Sequence, residues 1–424
     1  MDYQSVARSV RAERKPSRLM TRISLDVLLE RLPVSYFHYR LLLMCGLAFM
    51  ADAMEVSLLS FISACAGKDF GLTNAQMANI TGVVFAGELV GALFWGPLSD
   101  NYGRRFSFVV ACLLISTGGA LSAFAPSYSM LLVTRAIVGF GVGGLTVPFD
   151  LLAEFLPSSH RGLFLIYVEY FWTFGSLFVA GAAWLLLADY GWRALTFVTV
   201  IPVTLSSMFS FVLLPESPRW LLVKGRVQEA EEVVRQPAEM NGGHMEPFSL
   251  YVPERHHEDS HRMLSLKWFY SFVDEYAALL STSDLRWTTI PLWTVWLSFG
   301  FCYYGIILLV TRVYSSGAGE ASSEVSFDFA SIFLSASSEL AGVTLTALIV
   351  DRWGRVSTQS LMYLITGVAL VVLCFSKAQS TSATITAISF ISRMSAMSSS
   401  SATWVATPEL YSTVSLIHYQ LEFD

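Results

Sequence analysis

The stretch Gly96-Pro97-Leu98-Ser99-Asp100-Asn101-Tyr102-Gly103-Arg104-Arg105 returns in shortened form as Asp351-Arg352-Trp353-Gly354-Arg355. Each copy is a polar turn set between long apolar runs, and the offset from Asp100 to Asp351 is 251. Two further markers repeat in the same order. Arg135 and Arg393, each inside an apolar run, are 258 apart. Glu154 and Glu409, the latter in Pro408-Glu409-Leu410-Tyr411, are 255 apart. Three markers at nearly one offset indicate an internal repeat, a feature of transporter folds built from two similar halves.

The composition fits that reading. Of 424 residues, 54% are hydrophobic and 14% charged, with a mean hydropathy of +0.54. Soluble domains carry about 25% charged residues, so disorder, a nucleic-acid footprint and a small disulfide scaffold are excluded. The net charge of −6 provides no basic stripe for phosphates. Cys45, Cys65, Cys112, Cys302 and Cys374 all lie in apolar runs without a CxxC pair, which argues against a metal knuckle or a disulfide framework.

A spanning helix needs about 20 mostly apolar residues. Ten stretches qualify: 41–66, 77–99, 106–125, 128–156, 162–187, 192–214, 288–311, 327–350, 357–376 and 383–406. The chain therefore divides into an arm (1–40), a six-helix bundle (41–214), a polar central loop (215–287), four further helices (288–413) and a tail (414–424). Seven arginines and Lys15 fill the arm, and Arg104, Arg105, Arg161, Arg352 and Arg355 lie in alternate loops. This asymmetry places the arm and the central loop in the cytosol. Leu25, Leu28, Leu29 and Leu32 recur at helical spacing after Ser24, an N-cap, and predict an interfacial amphipathic helix.

The repeat also measures a deficit. If the sixth span ends near 214, its partner should end about 45 residues beyond the last residue, room for two spans and a turn. The expectation is a twelve-span architecture cut after the tenth span; a ten-span protein is the alternative.

These motifs resemble those of a known family. The turn 96–105 and its echo are similar to the signature loops of the major facilitator superfamily. Glu154-Phe155-Leu156-Pro157 with Arg161, and Pro215-Glu216-Ser217-Pro218-Arg219-Trp220, resemble the sugar-porter and organic-ion-transporter motifs after spans 4 and 6. Met50-Ala51-Asp52-Ala53-Met54-Glu55, with Arg286-Trp287 and Tyr303-Tyr304-Gly305, is similar to the synaptic vesicle 2-related branch. The resemblance implies an all-α membrane protein with the major facilitator fold, two pseudo-symmetric six-helix halves, the second incomplete. It also implies a secondary active transporter of a small organic solute working by alternating access, with protons as candidate partners and no cofactor. Hexose porters carry Gln-Leu-Ser-Gly-Ile-Asn in span 7, whereas this chain has Leu297-Ser298-Phe299-Gly300-Phe301-Cys302, so an organic ion is favoured over a hexose.

Ionisable residues at membrane depth are costly, roughly 2.5–3.5 kcal/mol each on the insertion scale, and should face the bundle interior. Asp52, Glu55, Glu88, Arg135, Asp150, Glu169, Glu339 and Arg393 form this set. Asp52 and Glu55, three residues apart, share one helix face. Two close carboxylates can carry one proton between them, which is what proton coupling requires; a static ion pair with an arginine is the alternative. Glu88 lies near Gly91, Ala92 and Trp95, and Glu169 among Tyr167, Tyr170 and Trp172, where aromatic rings beside a carboxylate can hold an organic cation or simply pack. Tyr303 and Tyr304 join these as solute candidates. Gly139, Gly141, Gly143 and Gly144 after Arg135 read as helix packing.

In the loops the expected role is conformational. Gly96 should let helices close tightly, Asp100 should cap or pair, and Gly103 and Gly354 belong to the same loops. Arg104, Arg105, Glu154, Arg161, Glu216, Arg219, Asp351, Arg355 and Glu409 complete the switch set. His257-Glu258-Asp259-Ser260-His261 matches the zincin pattern, but it stands among charged residues with no apolar stripe and reads as a solvated loop. No phosphate-binding loop occurs, so an ATP-driven pump is excluded, and no nucleophile–base pair points to an enzyme. The rival class is a non-transporting membrane protein: a sensor, a binding relic or an inactive truncated product.

Overall fold

Apolar side chains that would be buried in a soluble protein stand on the outside of this one. Phe301 is 83% exposed, Phe375 82%, Leu185 76% and Leu297 75%. An outer surface of this kind is stable against lipid, while the polar and charged side chains of the same helices turn inward. The computed structural model describes residues 21–240, 248–251, 277, 279–316, 326–376 and 382–421.

The described residues begin with strand β1 (Thr21–Ile23) and helix α1 (Leu25–Arg31). The first half follows as α2 (Tyr36–Asp69), α3 (Asn74–Tyr102), α4 (Arg104–Ala123), α5 (Tyr128–Val142), α6 (Val147–Phe155) and α7 (Ser158–Leu213). Next come α8 (Pro218–Val223), α9 (Val227–Met240) and strand β2 (Phe248–Leu250). The second half holds α10 (Ser283–Val313), a two-residue hairpin pair, α11 (Phe329–Trp353), α12 (Arg355–Ser376) and α13 (Ser382–Leu421).

Helix starts follow local chemistry. Thr73 and Gln76 form a reciprocal capping box at the start of α3, the Thr73 N–H donating to Gln76 Oε1 at 2.9 Å and the Gln76 N–H to Thr73 Oγ1 at 3.3 Å. Among the described residues, eight helices are long and apolar enough to cross a membrane. This differs from ten separate spans for two reasons. The run 158–213 is continuous except at Gly191, whose φ of 74° and ψ of −178° break it into two helices, so one long element stands for two expected spans. The helix α13 carries Ser395 and Ser398 to Ser401 in its middle and is too polar to qualify on composition. The expected span 128–156 is itself divided at Gly143 into α5 and α6.

The glycines expected to act in packing do so. A Cβ on Gly139 would meet the carbonyl of Val84, one on Gly91 the carbonyl of Phe140, and one on Gly143 the carbonyl of Glu88, so α3 and α5 touch backbone to backbone. Gly342 on α11 meets the carbonyl of Met394 on α13 in the same manner. Gly96 has open space around its Cα; the tight approach expected there is made instead by Gly87 and Gly91.

The leucine stripe of α1 is covered by protein. Ser24 does cap the helix, accepting from the Val27 N–H at 3.4 Å. Leu25, Leu28, Leu29 and Leu32, however, are buried in a small core with Leu221, Leu222, Ala230, Val234, Phe248 and Leu250. Strand β1 pairs in parallel with β2, Thr21 opposite Phe248 and Ile23 opposite Leu250. The expectation of an interfacial helix is corrected here: the face meant for lipid is taken by the central loop. The zincin-like segment 257–261 lies outside the described residues.

The halves meet through α7 against α11, α2 against α10, and α13 against α7. Phe61 packs on Phe327 at 5.2 Å near one end of the seam, and Phe149 on Trp404 at 4.7 Å near the other.

Candidate functional site

Two buried ion pairs occupy the centre, one in each half. Arg135, fully buried, donates from Nη1 to both oxygens of Glu55 at 2.7 and 2.9 Å, and from Nη2 to the Ser122 hydroxyl. Arg393 donates from Nε to Glu339 Oε1 at 2.7 Å, with side chains 3% and 0% exposed. A guanidinium cannot discharge, so at this depth it needs a fixed carboxylate, and both arginines have one. Beside the first pair lies a void of about 20 Å³ lined by Met54, Glu55, Ile115, Arg135 and Val203, room for about one water.

Between the pairs runs an aromatic layer drawn from both halves. Phe85 of α3 stacks on Tyr304 of α10 at 5.3 Å, and Tyr304 stacks on Trp172 of α7 at 6.3 Å. Trp172 lies 5.2 Å from Phe49 of α2, which lies 5.7 Å from Trp404 of α13. One hydrogen-bonded chain crosses the seam. Trp172 Nε1 donates to the Tyr303 hydroxyl at 2.6 Å, and that hydroxyl donates to Glu339 Oε1 at 2.9 Å.

Three further acids face this layer. Asp52 and Glu169 are buried and Glu88 half-buried. Asp52 Oδ1 and Glu169 Oε1 have no hydrogen-bond partner among the described residues. The Tyr304 hydroxyl stands within electrostatic reach of all three. Asp52, Glu55 and Glu88 also act on one another, so the expected carboxylate pair is in fact a cluster of three against one arginine. Glu55 is bound to Arg135, while Asp52 and Glu88 have no arginine or lysine paired to them among the described residues.

The residues expected to act in the switch gather at the end of the bundle that carries α1. The Glu216 carboxylate accepts from the backbone N–H of Arg104 at 2.8 Å, of Arg105 at 3.1 Å and of Ser217 at 2.9 Å. It thus caps the N-terminus of α4, where the helix dipole favours an anion. Arg104 pairs with Asp100 at 2.6 Å and reaches Glu154 at 3.6 Å; the Ser217 hydroxyl donates to Glu154. Trp220 Nε1 donates to the Asp100 carbonyl at 2.8 Å, and Arg105 to the Phe211 carbonyl at 2.6 Å. Arg161 donates to the Leu156 carbonyl at 3.3 Å, and Arg219 pairs with Asp26 of α1. In the second half Arg355 pairs with Asp351 at 2.9 Å after Gly354, whose φ is 85°. The side chain of Glu409 lies outside the described residues.

Sequence reasoning missed several members of the site. Phe49, Phe85 and Trp404 gave no signal beyond aromatic content. Asp26 was invisible because nothing local links it to Arg219. The serines of α13 did carry one: seven buried serine hydroxyls, at 389, 392, 395 and 398–401, in an otherwise membrane-length helix are unusual. Arg393 and Glu339, both singled out as costly at membrane depth, pair with each other.

The family described as Sugar (and other) transporter matches residues 36–415. The synaptic vesicle 2-related protein of Pongo abelii is 32% identical over 400 residues, covering 91% of this chain and 69% of that protein. The organic cation/carnitine transporter 7 of Arabidopsis thaliana is 31% identical over 370 residues, covering 81% of this chain and 74% of that one. The xylose transporter XylE from E. coli, in a partially occluded inward open conformation, superimposes with a TM-score of 0.66 at 18% identity, covering 88% of this chain and 84% of that chain. The major facilitator fold read from the repeated loops is therefore the fold of this chain, and the chain belongs to the sugar (and other) transporter family.

Proposed function

We propose that this protein carries a small organic cation across a membrane by alternating access, with protons as the coupling ion and both the arm and the central loop in the cytosol. The observation that carries the solute class is the charge balance at the aromatic layer. Each buried arginine is matched by its own glutamate, while Asp52 and Glu88 face the Phe85–Tyr304–Trp172 stack with no arginine or lysine paired to them among the described residues. Surplus carboxylate beside stacked rings attracts an ammonium group by both charge and ring quadrupole. A hexose would leave those carboxylates uncompensated. The organic cation/carnitine transporter among the relatives fits this reading.

Coupling is read at Asp52. It lies one turn from Glu55 on the face that meets Glu88, and a carboxylate without a fixed cation can alternate between proton and solute. The test is uptake of labelled tetraethylammonium, carnitine and xylose into proteoliposomes, with and without an imposed pH gradient. Saturable uptake of the two ammonium compounds, driven by the gradient and abolished by D52N, is expected. Xylose uptake without ammonium uptake overturns the solute class, and gradient-independent uptake overturns the coupling.

A further inference from the structure

Glu169 and Glu339 stand on opposite sides of the seam between the halves. Glu169 on α7 is 1% exposed and Glu339 on α11 is 0% exposed. Both donors that reach Glu339, Arg393 and Tyr303, go to Oε1. Glu339 Oε2 and Glu169 Oε1 are both buried without a hydrogen-bond partner among the described residues. The two acids belong to one connected patch. Trp172, three residues along α7 from Glu169, donates to Tyr303, which donates to Glu339. Tyr170 and Thr344 join the same two helices through their hydroxyls at 2.9 Å.

The groups facing this patch come from every neighbouring helix. Tyr303 and Tyr304 come from α10, and Arg393 and Ser401 from α13; beyond Tyr304 stand Asp52 on α2 and Glu88 on α3. Arg393 is the one full cation among them, and it balances one carboxylate. A second carboxylate leaves an unmatched negative charge where desolvation is severe. A single proton cancels that charge and supplies a hydrogen to an oxygen that lacks one.

We propose that Glu169 and Glu339 hold one proton between them while the halves are closed along this seam, and that its release to entering water drives α7 and α11 apart. The protonated pair places no like charges across the seam, whereas the deprotonated pair places two buried carboxylates within electrostatic reach of each other across it. The site adds a second protonation step to the coupling read at Asp52, and it does not depend on the solute class.

The experiment is a cross-linking titration that uses no solute, so its failure leaves the solute assignment untouched. In a background with the five native cysteines replaced, Y170C and T344C are bridged by a short bifunctional thiol reagent in nanodiscs across a pH series. The ratio of linked to unlinked protein is expected to fall with rising pH, by up to about tenfold per unit, the steepness of one proton. E169Q, which cannot deprotonate, should stay linked at all pH values. A flat wild-type profile, or an E169Q profile that titrates like wild type, overturns the proposal. Closure that follows sodium at fixed pH overturns the assignment to a proton. If E169Q does not fold, infrared titration of the protein with isotope-labelled glutamate decides. A protonated glutamate carbonyl band must vanish with the cross-linking midpoint, and a persistent or absent band overturns the proposal.

Discussion

Glu88 and Glu339 occupy the same place in the two repeats, yet only Glu339 holds an arginine. Each lies three residues before a glycine that seats its helix on a partner: Gly91 against the Phe140 carbonyl, Gly342 against the Met394 carbonyl. Aligning Phe140 with Met394 puts Arg393 at the place of Gly139, one turn away from the place of Arg135. The sequence offset of 258 between the arginines exceeds the packing offset of 254 by that turn. Arg393 therefore lies level with its α11 glutamate, while Arg135 lies one turn further back and takes Glu55 of α2.

This difference predicts opposite responses to the same substitution. E339Q leaves Arg393 buried without its carboxylate, and removing one partner of a buried pair costs about 3–5 kcal/mol. E88Q removes a carboxylate that has no cation and sits beside Asp52 and Glu55, so stability should be unchanged or rise by up to about 1 kcal/mol. Thermal unfolding of the two purified variants in detergent checks the contrast. Equal losses would place Glu88 in an ion pair.

Much of this architecture was legible because the determinants are local. Gly103 and Gly354 mark the turns, the apolar runs mark the helices, and each buried charge announces itself by its cost. Partner choice was not legible. Arg135 selects Glu55 over Glu88 through a helix register set by Gly87, Gly91 and Gly139, and one turn of register leaves no trace in the spacing of charges. The leucine stripe of α1 was ambiguous for a different reason: an apolar face specifies that it must be covered, and says nothing about what covers it. The distant β2 strand, α8 and α9 decided for protein over lipid.

The covered stripe makes the arm a structural part of the central loop. Deleting residues 1–34 removes β1 and the leucines of α1, and exposes Leu221, Leu222, Ala230, Val234, Phe248 and Leu250. Amide protection along α9 should fall sharply in hydrogen exchange, because four buried leucines contribute about 1.5–3 kcal/mol each. D26N should do far less. The Asp26–Arg219 pair is largely exposed, and such pairs contribute about 0–1 kcal/mol. Unchanged protection in the deletion would mean that the loop folds without the arm.

Orientation can be tested without transport. With the arm and central loop in the cytosol, a cysteine introduced at 225, between α8 and α9, should react with an impermeant thiol reagent only in permeabilised cells. One introduced at 71, between α2 and α3, should react in intact cells when the protein is at the cell surface. The reverse pattern inverts the topology.

The two signature glycines should not be equivalent. Gly103 has φ 107° and ψ 154°, and Gly354 has φ 85° and ψ 156°. This region is essentially restricted to glycine, and holding another residue there costs of order 1–3 kcal/mol. Alanine therefore strains both turns. At Gly354 the new methyl group meets open space, so the cost is the backbone strain alone. At Gly103 it collides with the Glu216 carboxylate, the same group that caps Arg104 and Arg105. Moving that carboxylate uncaps α4 and adds about 0.5–2 kcal/mol. It also frees Ser217, and with it the Ser217–Glu154 contact that ties the end of α6 to the central loop. G103A should thus lower the unfolding temperature more than G354A and speed amide exchange at Arg104, Arg105 and Ser217. G354A should leave those three amides as protected as in the parent. Equal effects on all three amides would mean that Glu216 does not hold the turn.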